Sequence, residues 1–431
     1  MVRLVISSKD GIQPVIYNDI LQVIRHVVQN MPIAEKTSFV NDTVNTVINE
    51  TTVMASIITQ QTANEEQKRY QYQMLSMLST CLCSMNKMEE EMNKIPNIQQ
   101  IFQQLCQIAL INDTGGDRTT LNIIEVASQA AGSIVNKMPK GAVLEQLLLE
   151  NLNIDSSSSG GGNSLLQDIV PGSSKFVQQA RLWSWVAKGL IMKRHSFGTT
   201  MCIDFCTVVI NSEYNDEEKA AAVRCISVVM SDSPICLNKE CDIYLSSFFK
   251  HSLFRRVVPM LLEKISLKRD EAVLDDAQTT VTNHFSNPND RYHLLHLIMV
   301  MITYSPTTVV QSELNNLLHV VILSLTSKSS MLLQETSLPA VAMVLHNDIQ
   351  AFTPHAESCC RSLLSLCTVD SSVSTCISSL KCLSLMRGLP MDVALRIRDD
   401  VLSGLWTTLD HPSRKVRQAC VVCRNQWFVA K

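Results

Sequence analysis

The sequence predicts an all-α chain, a HEAT/armadillo-type helical-repeat solenoid (α-α superhelix), on three observations. Apolar residues recur at helical spacing almost everywhere, while strand-like alternation bounded by turns is scarce. Prolines interrupt the apolar stripes at intervals: Pro32, Pro96, Pro139, Pro234, Pro288, Pro306, Pro354, Pro390 and Pro412. In the last third the helical pairs fall about 312–346, 354–389 and 391–428, a spacing that matches repeats of about 40–47 residues. Composition agrees: 46% hydrophobic, 5% aromatic and 13 each of Gly and Pro suit helices better than a loop-rich β protein. A single compact core rarely grows to 431 residues, whereas a stack of hairpins, each touching only its neighbours, has no such limit.

Taken in order, Met1 is followed at once by Val-Arg-Leu-Val-Ile, with no polar capping repeat. Because solenoids need polar ends, the expectation is a C-terminal piece of a longer solenoid. Asp113-Thr-Gly-Gly-Asp117 predicts a tight loop, and Asp155-Ser-Ser-Ser-Ser-Gly-Gly-Gly-Asn163 has linker composition. The expected division is therefore diverged repeats over 1–152, a flexible Ser/Gly loop over 153–164, and C-terminal HEAT repeats over 165–431 with a docking end at about 354–431. Residues 213–219, Glu-Tyr-Asn-Asp-Glu-Glu-Lys, read as a charged helix start. Between Met391 and Leu409 the predicted buried stripe is Leu395, Val401, Leu402, Leu405 and Leu409. Asp410 and Pro412 then break the chain, and Val416-Arg417 opens a last helix whose predicted core stripe is Val416, Ala419, Cys420, Cys423 and Trp427.

Charge narrows the function classes. The formal net charge is −3 and the pI near 6.4, so no broad basic field draws in phosphate, and direct nucleic-acid binding is not expected. Residues 391–431 are a mild exception, with seven basic against four acidic side chains. The apolar run from Leu294 to Ile302 is too short to span a bilayer, and no membrane association is expected. Fifteen cysteines, many inside apolar helical stretches, read as reduced and buried. On that reading the sequons at Asn41, Asn49 and Asn112 stay silent.

Chemistry-bearing motifs are few. Cys420-x-x-Cys423 is half of a metal site at most, and both thiols share the predicted core stripe, so packing is the expected role. Cys81-x-Cys83 and Cys359-Cys360 receive the same reading. His293-Leu-Leu-His296 lacks the Glu of a zinc-protease helix. No phosphate loop, nucleophile elbow or dinucleotide fingerprint occurs in the sequence, and Glu65-Glu66 and Glu89-Glu90-Glu91 read as solvated helix faces. The expectation is a chain that is not an enzyme and holds no cofactor or metal. On a helical wheel Arg417, Val421, Arg424 and Phe428 fall together, a quarter turn or more from the core stripe. Since interfaces favour Arg and aromatic anchors, these residues with Arg414 and Lys415 form the candidate partner-binding face. Phe428 could equally fold back over the first helix of its own hairpin.

At this point a family resemblance emerges. Asp410, Val416-Arg417, Ala419, Arg424 and Trp427-Phe428 resemble the C-terminal end of the MMS nineteen DNA-repair and transcription family. Trp183-Ser-Trp185-Val-Ala-Lys188-Gly-Leu190, continuing through Lys193-Arg194-His195, resembles that family's Trp-Val-x-Lys-Ala-Leu helix. Val229-Met230-Ser231-Asp232, then Phe248-Phe249-Lys250 and Val258-Pro259, resembles its Leu-Met-Ser-Asp block and following Phe-Phe stretch. The resemblance runs from about 181 to 431; before 150 it is one of helical texture alone. It implies a scaffold of the cytosolic iron–sulfur cluster assembly (CIA) targeting complex. Such a scaffold docks a MIP18-type (DUF59) subunit and a WD-repeat propeller through its C-terminal repeats. It recruits apo iron–sulfur client proteins of DNA replication and repair. The same resemblance implies a cytoplasmic and nuclear location, and contacts with transcription factor H and the spindle. A nuclear transport or trafficking adaptor would share the architecture, but the four Trp, at 183, 185, 406 and 427, lack the regular period such adaptors use.

Overall fold

The computed structural model describes residues 13–49, 65–85, 95, 97–111, 117–152, 165–233, 235–238, 243–270, 288–327 and 330–428. Among them there is no strand. The expected Ser/Gly loop at 153–164, most of the loop before Asp117, and Glu89-Glu90-Glu91 lie outside the described residues.

Two compact units divide the chain, Met1–Phe249 and Lys250–Lys431. In the first, the helices are α1 (Pro14–Asn30), α2 (Ile33–Asn49), α3 (Glu65–Ser84), α4 (Ile98–Ala109), α5 (Arg118–Lys137), α6 (Ala142–Leu152), α7 (Ser174–Met192), α8 (Ser196–Ile210) and α9 (Asp216–Met230). Helices α3, α5, α7 and α9 stack in sequence as one layer. Against it pack α1 and α2 on α3, α4 on α5, and α8 on both α7 and α9. The expected boundary at 153–164 falls inside this unit, because α5 and α7, on either side of it, pack directly against each other. A linker-like composition describes the connection and says nothing of whether the flanking helices touch.

The second unit contains α10 (Ser247–Asp270), α11 (Pro288–Tyr304), α12 (Thr307–Ser312), α13 (Leu314–Thr326), α14 (Met331–Asn347), α15 (Ala356–Ser365), α16 (Val373–Met386), α17 (Met391–Gly404) and α18 (Arg414–Phe428). Here the two-layer repeat is plain. Helices α13, α15 and α17 stack in one layer and α14, α16 and α18 in the other. The second helices of successive pairs open at Met331, Val373 and Arg414, which is the spacing of about 40 residues that marks this repeat class.

Local chemistry explains where helices begin. Asn215 caps α9: its side chain accepts from the Glu218 amide at 2.9 Å, and Glu218 accepts in return from the Asn215 amide at 2.9 Å, a reciprocal capping box. Glu218 also accepts from the Gly172 amide, so this charged helix start is tied to the turn before α7. Asp117 caps α5 through the Thr119 amide at 3.0 Å and pairs with Lys68 of α3 at 2.8 Å. The hydrogen bond from Lys68, aided by Thr119 and Thr120, holds the Asp117 carboxyl at about 2. Ser330 and Ser372 cap α14 and α16 in the same manner.

In the first unit the C-terminal ends of α3, α5 and α9 receive hydrogen bonds from buried lysines. Lys137 of α5 donates to the carbonyls of Leu82 and Cys83 at the end of α3, at 2.6 and 2.9 Å. Lys193, just past α7, donates to Asn136 and Met138 at the end of α5. Lys188 of α7 donates to Val228 and Ser231 at the end of α9, at 2.9 and 2.7 Å, and lies 5.0 Å from the Trp185 ring centroid. A cation suits a helix C-terminus, where the unpaired carbonyls carry the negative end of the macrodipole.

Helices α5 and α7 approach at two glycines. A Cβ on Gly132 would lie 2.5 Å from the Trp185 carbonyl oxygen, and one on Gly189 would strike the Gly132 carbonyl. Backbone rather than a yielding side chain occupies both places. Gly132→Ala is therefore expected to destabilise the first unit by about 1–3 kcal/mol, the usual range for overpacking. Urea denaturation followed by circular dichroism checks this; an unchanged midpoint would contradict the close crossing.

Candidate docking surface on the final hairpin

The site is built on α17, a 3-10 turn at Thr407–Asp410, and α18. Val416, Cys420, Cys423 and Trp427 of α18 are buried; Ala419, expected with them, is half-buried at the margin. Trp427 anchors the helix: it is fully buried, and its indole N–H donates to the Leu383 carbonyl of α16 at 3.1 Å. Thr408 donates to the Cys367 carbonyl at 3.0 Å and fastens the turn to the preceding pair.

On α17 the observed stripe differs from the expected one. Val393, Ile397 and Val401 are buried, joined by Leu405 just beyond the helix. Leu395 is 49% exposed, and Leu402 and Leu409 are half-buried. The helix faces its neighbour with an i, i+4 row that starts two residues earlier, which turns Leu395 and Met391 outward together.

The candidate residues separate into roles. Arg414 and Lys415 are exposed at the start of α18. Arg417 folds back onto the turn, donating to the carbonyls of His411 and Pro412 at 2.6 and 2.9 Å; part of its guanidinium is occupied in shaping the helix entry. Val421 is exposed, with Val422 beside it. Arg424 lies over two rings, 4.9 Å from the centroid of Trp406 and 5.2 Å from that of Phe428. Both rings face outward, Trp406 at 62% exposure and Phe428 at 51%. Arg398 of α17 donates to the Phe428 carbonyl at 3.1 Å. Thus the backbone of Phe428 is held against the first helix of its hairpin while its ring is left half-open.

Trp406 is the member sequence reasoning missed. The available signal was its place directly after Leu405, one step off the buried stripe, where a large aromatic has no core to fill. The finished surface is a guanidinium against two outward-facing rings, a combination suited to protein contacts and to cation–π attraction.

The thiols have a different character. All fourteen described cysteines are buried and unpaired by disulfides; Cys241 lies outside the described residues. Burial pushes Cys81, Cys206 and Cys360 up to about 12 and Cys420 to about 11. Cys83 differs: a hydrogen bond with the Cys236 thiol and nearby Lys137 push it down, although burial opposes this. It is fully buried as well, so an attacking reagent has no route to it. Among the described residues no group of three or more His, Cys, Asp or Glu is placed to hold a metal ion. His293 is buried beside the Tyr292 ring, at 4.9 Å between centroids.

The sequence profile of the family described as RNAPII transcription regulator C-terminal (MMS19_C) matches residues 5–387. The chain belongs to the MMS19 C-terminal family. The match takes in the first 150 residues, where only helical texture was legible, and stops before the final hairpin. The "MMS19 nucleotide excision repair protein homolog" of Xenopus laevis is 23% identical over 360 residues, covering 83% of this chain and 31% of that protein. The protein of the same name from Homo sapiens is 23% identical over 359 residues, with 83% and 30% covered. That from Dictyostelium discoideum is 22% identical over 367 residues, with 84% and 30% covered. The chain thus spans about three-tenths of the length of these MMS19 relatives. Among solved structures, a designed armadillo repeat protein is similar with a TM-score of 0.29 at 11% identity, over 76% of this chain and 99% of that one. Kap121p is similar with a TM-score of 0.32 at 12% identity, over 98% of this chain and 42% of that one. At such scores these likenesses carry no functional argument.

Two outcomes follow for the final hairpin. Trp427→Ala is expected to destabilise the second unit by about 3–5 kcal/mol, whereas a double-mutant cycle of Trp406→Ala with Arg424→Ala gives a coupling of about 0.5–1 kcal/mol; urea titrations measure both. In a Cys241→Ser background, Ellman's reagent at neutral pH is expected to label no thiol rapidly until urea unfolds the chain. A rapidly labelled native thiol would show that the cysteines do more than pack.

Proposed function

We propose that this chain is a non-catalytic docking scaffold of an MMS19-type repair and transcription protein, and that its final hairpin receives a protein partner. The observation that carries the reading is the Trp406–Arg424–Phe428 cluster, a cation held against two outward-facing rings, with exposed Val421 one turn before Arg424 on the same side of α18. Large apolar groups rarely gather on a surface without a partner. Arg414 and Lys415 at the start of α18 add a basic rim that sets orientation.

The family resemblance supplies the identity of the partners. On it, the scaffold belongs to the cytosolic iron–sulfur protein assembly targeting complex. The MIP18-type (DUF59) subunit and the WD-repeat propeller dock on the C-terminal repeats, and apo iron–sulfur clients of replication and repair are recruited to the assembly. The cluster is cargo of that assembly; the buried thiols of this chain are poor ligands for it, since their burial opposes the thiolate that ligation needs. The chain then works in the cytoplasm and nucleus, without direct contact with nucleic acid or membrane.

Co-expression of the chain with the MIP18-type subunit and the propeller tests the reading. A stoichiometric complex is expected on size exclusion, and Trp406→Ala/Phe428→Ala is expected to weaken it at least tenfold, the loss of about 1.4 kcal/mol or more. Circular dichroism confirms that the variant is folded. No complex from the folded wild-type chain would sink the iron–sulfur reading. An undiminished complex with the variant would move the dock elsewhere.

A further inference from the structure

The first unit carries an open groove of about 540 Å³ along α5, α7 and α9, far in sequence from the final hairpin. Its apolar lining includes Leu121, Ala180, Ala221 and Val228, with the uncharged polar Asn122, Gln178 and Ser184 among them. Arg181 of α7 and Arg224 of α9 line it from adjacent helices. Arg181 is half-buried and makes one long hydrogen bond, 3.4 Å, to the Leu121 carbonyl. Arg224 is exposed. Among the described residues neither guanidinium has an ion-pair partner. The one lining carboxylate, Glu125, is engaged from within: it accepts from the Trp185 indole at 2.8 Å and from Gln129 at 3.3 Å. The groove therefore combines two uncommitted cations with an apolar bed.

We propose that this groove is a second docking surface, which binds an extended acidic segment of a partner protein. Its carboxylates would meet Arg181 and Arg224, whose planar forks suit bidentate pairing. Its intervening apolar side chains would cover the floor. The volume lies within the range of about 300–1,000 Å³ typical of sites that bury most of a bound group. A bare phosphate would leave the apolar floor uncovered. Nucleic acid is disfavoured by Glu125 inside the groove and by the chain's net charge of −3.

The test pans a random twelve-residue phage library against the immobilised full chain. Enriched sequences are expected to alternate Asp or Glu with apolar residues. The best of them, made as a fluorescein-labelled peptide, is expected to bind Arg181→Gln/Arg224→Gln about tenfold or more weakly, with affinity falling as salt rises. Both positions are outside the core, and circular dichroism verifies the fold; Arg224→Lys, keeping charge but not the fork, should recover part of the binding. Binding is expected to be unchanged in Trp406→Ala/Phe428→Ala, which separates this surface from the final hairpin. The proposal is overturned if nothing enriches, if enriched sequences are not acidic, or if the folded double variant binds equally. It is overturned too if binding is lost in the hairpin variant, or if inorganic phosphate binds through the same arginines and displaces the peptide completely, which would make the groove an anion site.

Discussion

Carbonyls at the end of a buried helix need donors, and for α3, α5 and α9 a buried lysine from the neighbouring segment provides one. Lys137 serves α3, Lys193 serves α5 and Lys188 serves α9. These are long-range bonds, and they do more than satisfy orphan acceptors. A buried ammonium without partners is far costlier than a poorly packed methyl. If α7 slid by one turn against α5, Lys193 would lose its carbonyls and Gly189 would leave the place where only a glycine fits. Polar capping and backbone contact therefore select the same axial offset. The apolar layer, which tolerates small adjustments, packs around that choice.

What the sequence made legible follows from the range of the interactions involved. The limits of the last three helical pairs were readable because prolines, polar caps and apolar spacing are local signals. The same holds for the start of α9, where Asn215 and Glu218 sit three residues apart, and for the core stripe of α18. The stripe of α17 was misread because Leu395 looks like any core leucine until the neighbouring helix decides which row faces inward. Trp406 escaped notice for a related reason: its partner Arg424 lies across a turn and most of a helix. Lys188 and Lys193 were visible only as letters in a family motif and Lys137 not at all, since the acceptors lie far off in sequence: Val228 and Ser231, which Lys188 meets, come some forty residues later. Composition at 153–164 likewise could not reveal that α5 and α7 meet.

The final hairpin illustrates how one residue can satisfy two readings. Phe428 is held by its carbonyl, through Arg398, and offers its ring to solvent beside Arg424. Arg417, on the same helical face, is drawn into the turn and helps to set the entry of α18. A wheel diagram groups these residues because it records direction alone. The hydrogen bonds distinguish a clamp from an anchor.

The lysine bonds also imply that α3, α5 and α7 point the same way, because the C-terminal end of each lies beside that of the next. Dipoles in such a row add instead of cancelling. One edge of the layer is thus negative in its backbone and is quenched by buried ammonium groups. At the opposite edge carboxylates do the matching work: Asp117 caps the start of α5, and Glu218 closes the cap of α9 while accepting from the Gly172 amide in the turn before α7. The layer is thus a row of parallel dipoles closed at both ends by side chains of opposite charge, so an axial slip of one helix would separate charge from dipole at both of its ends at once.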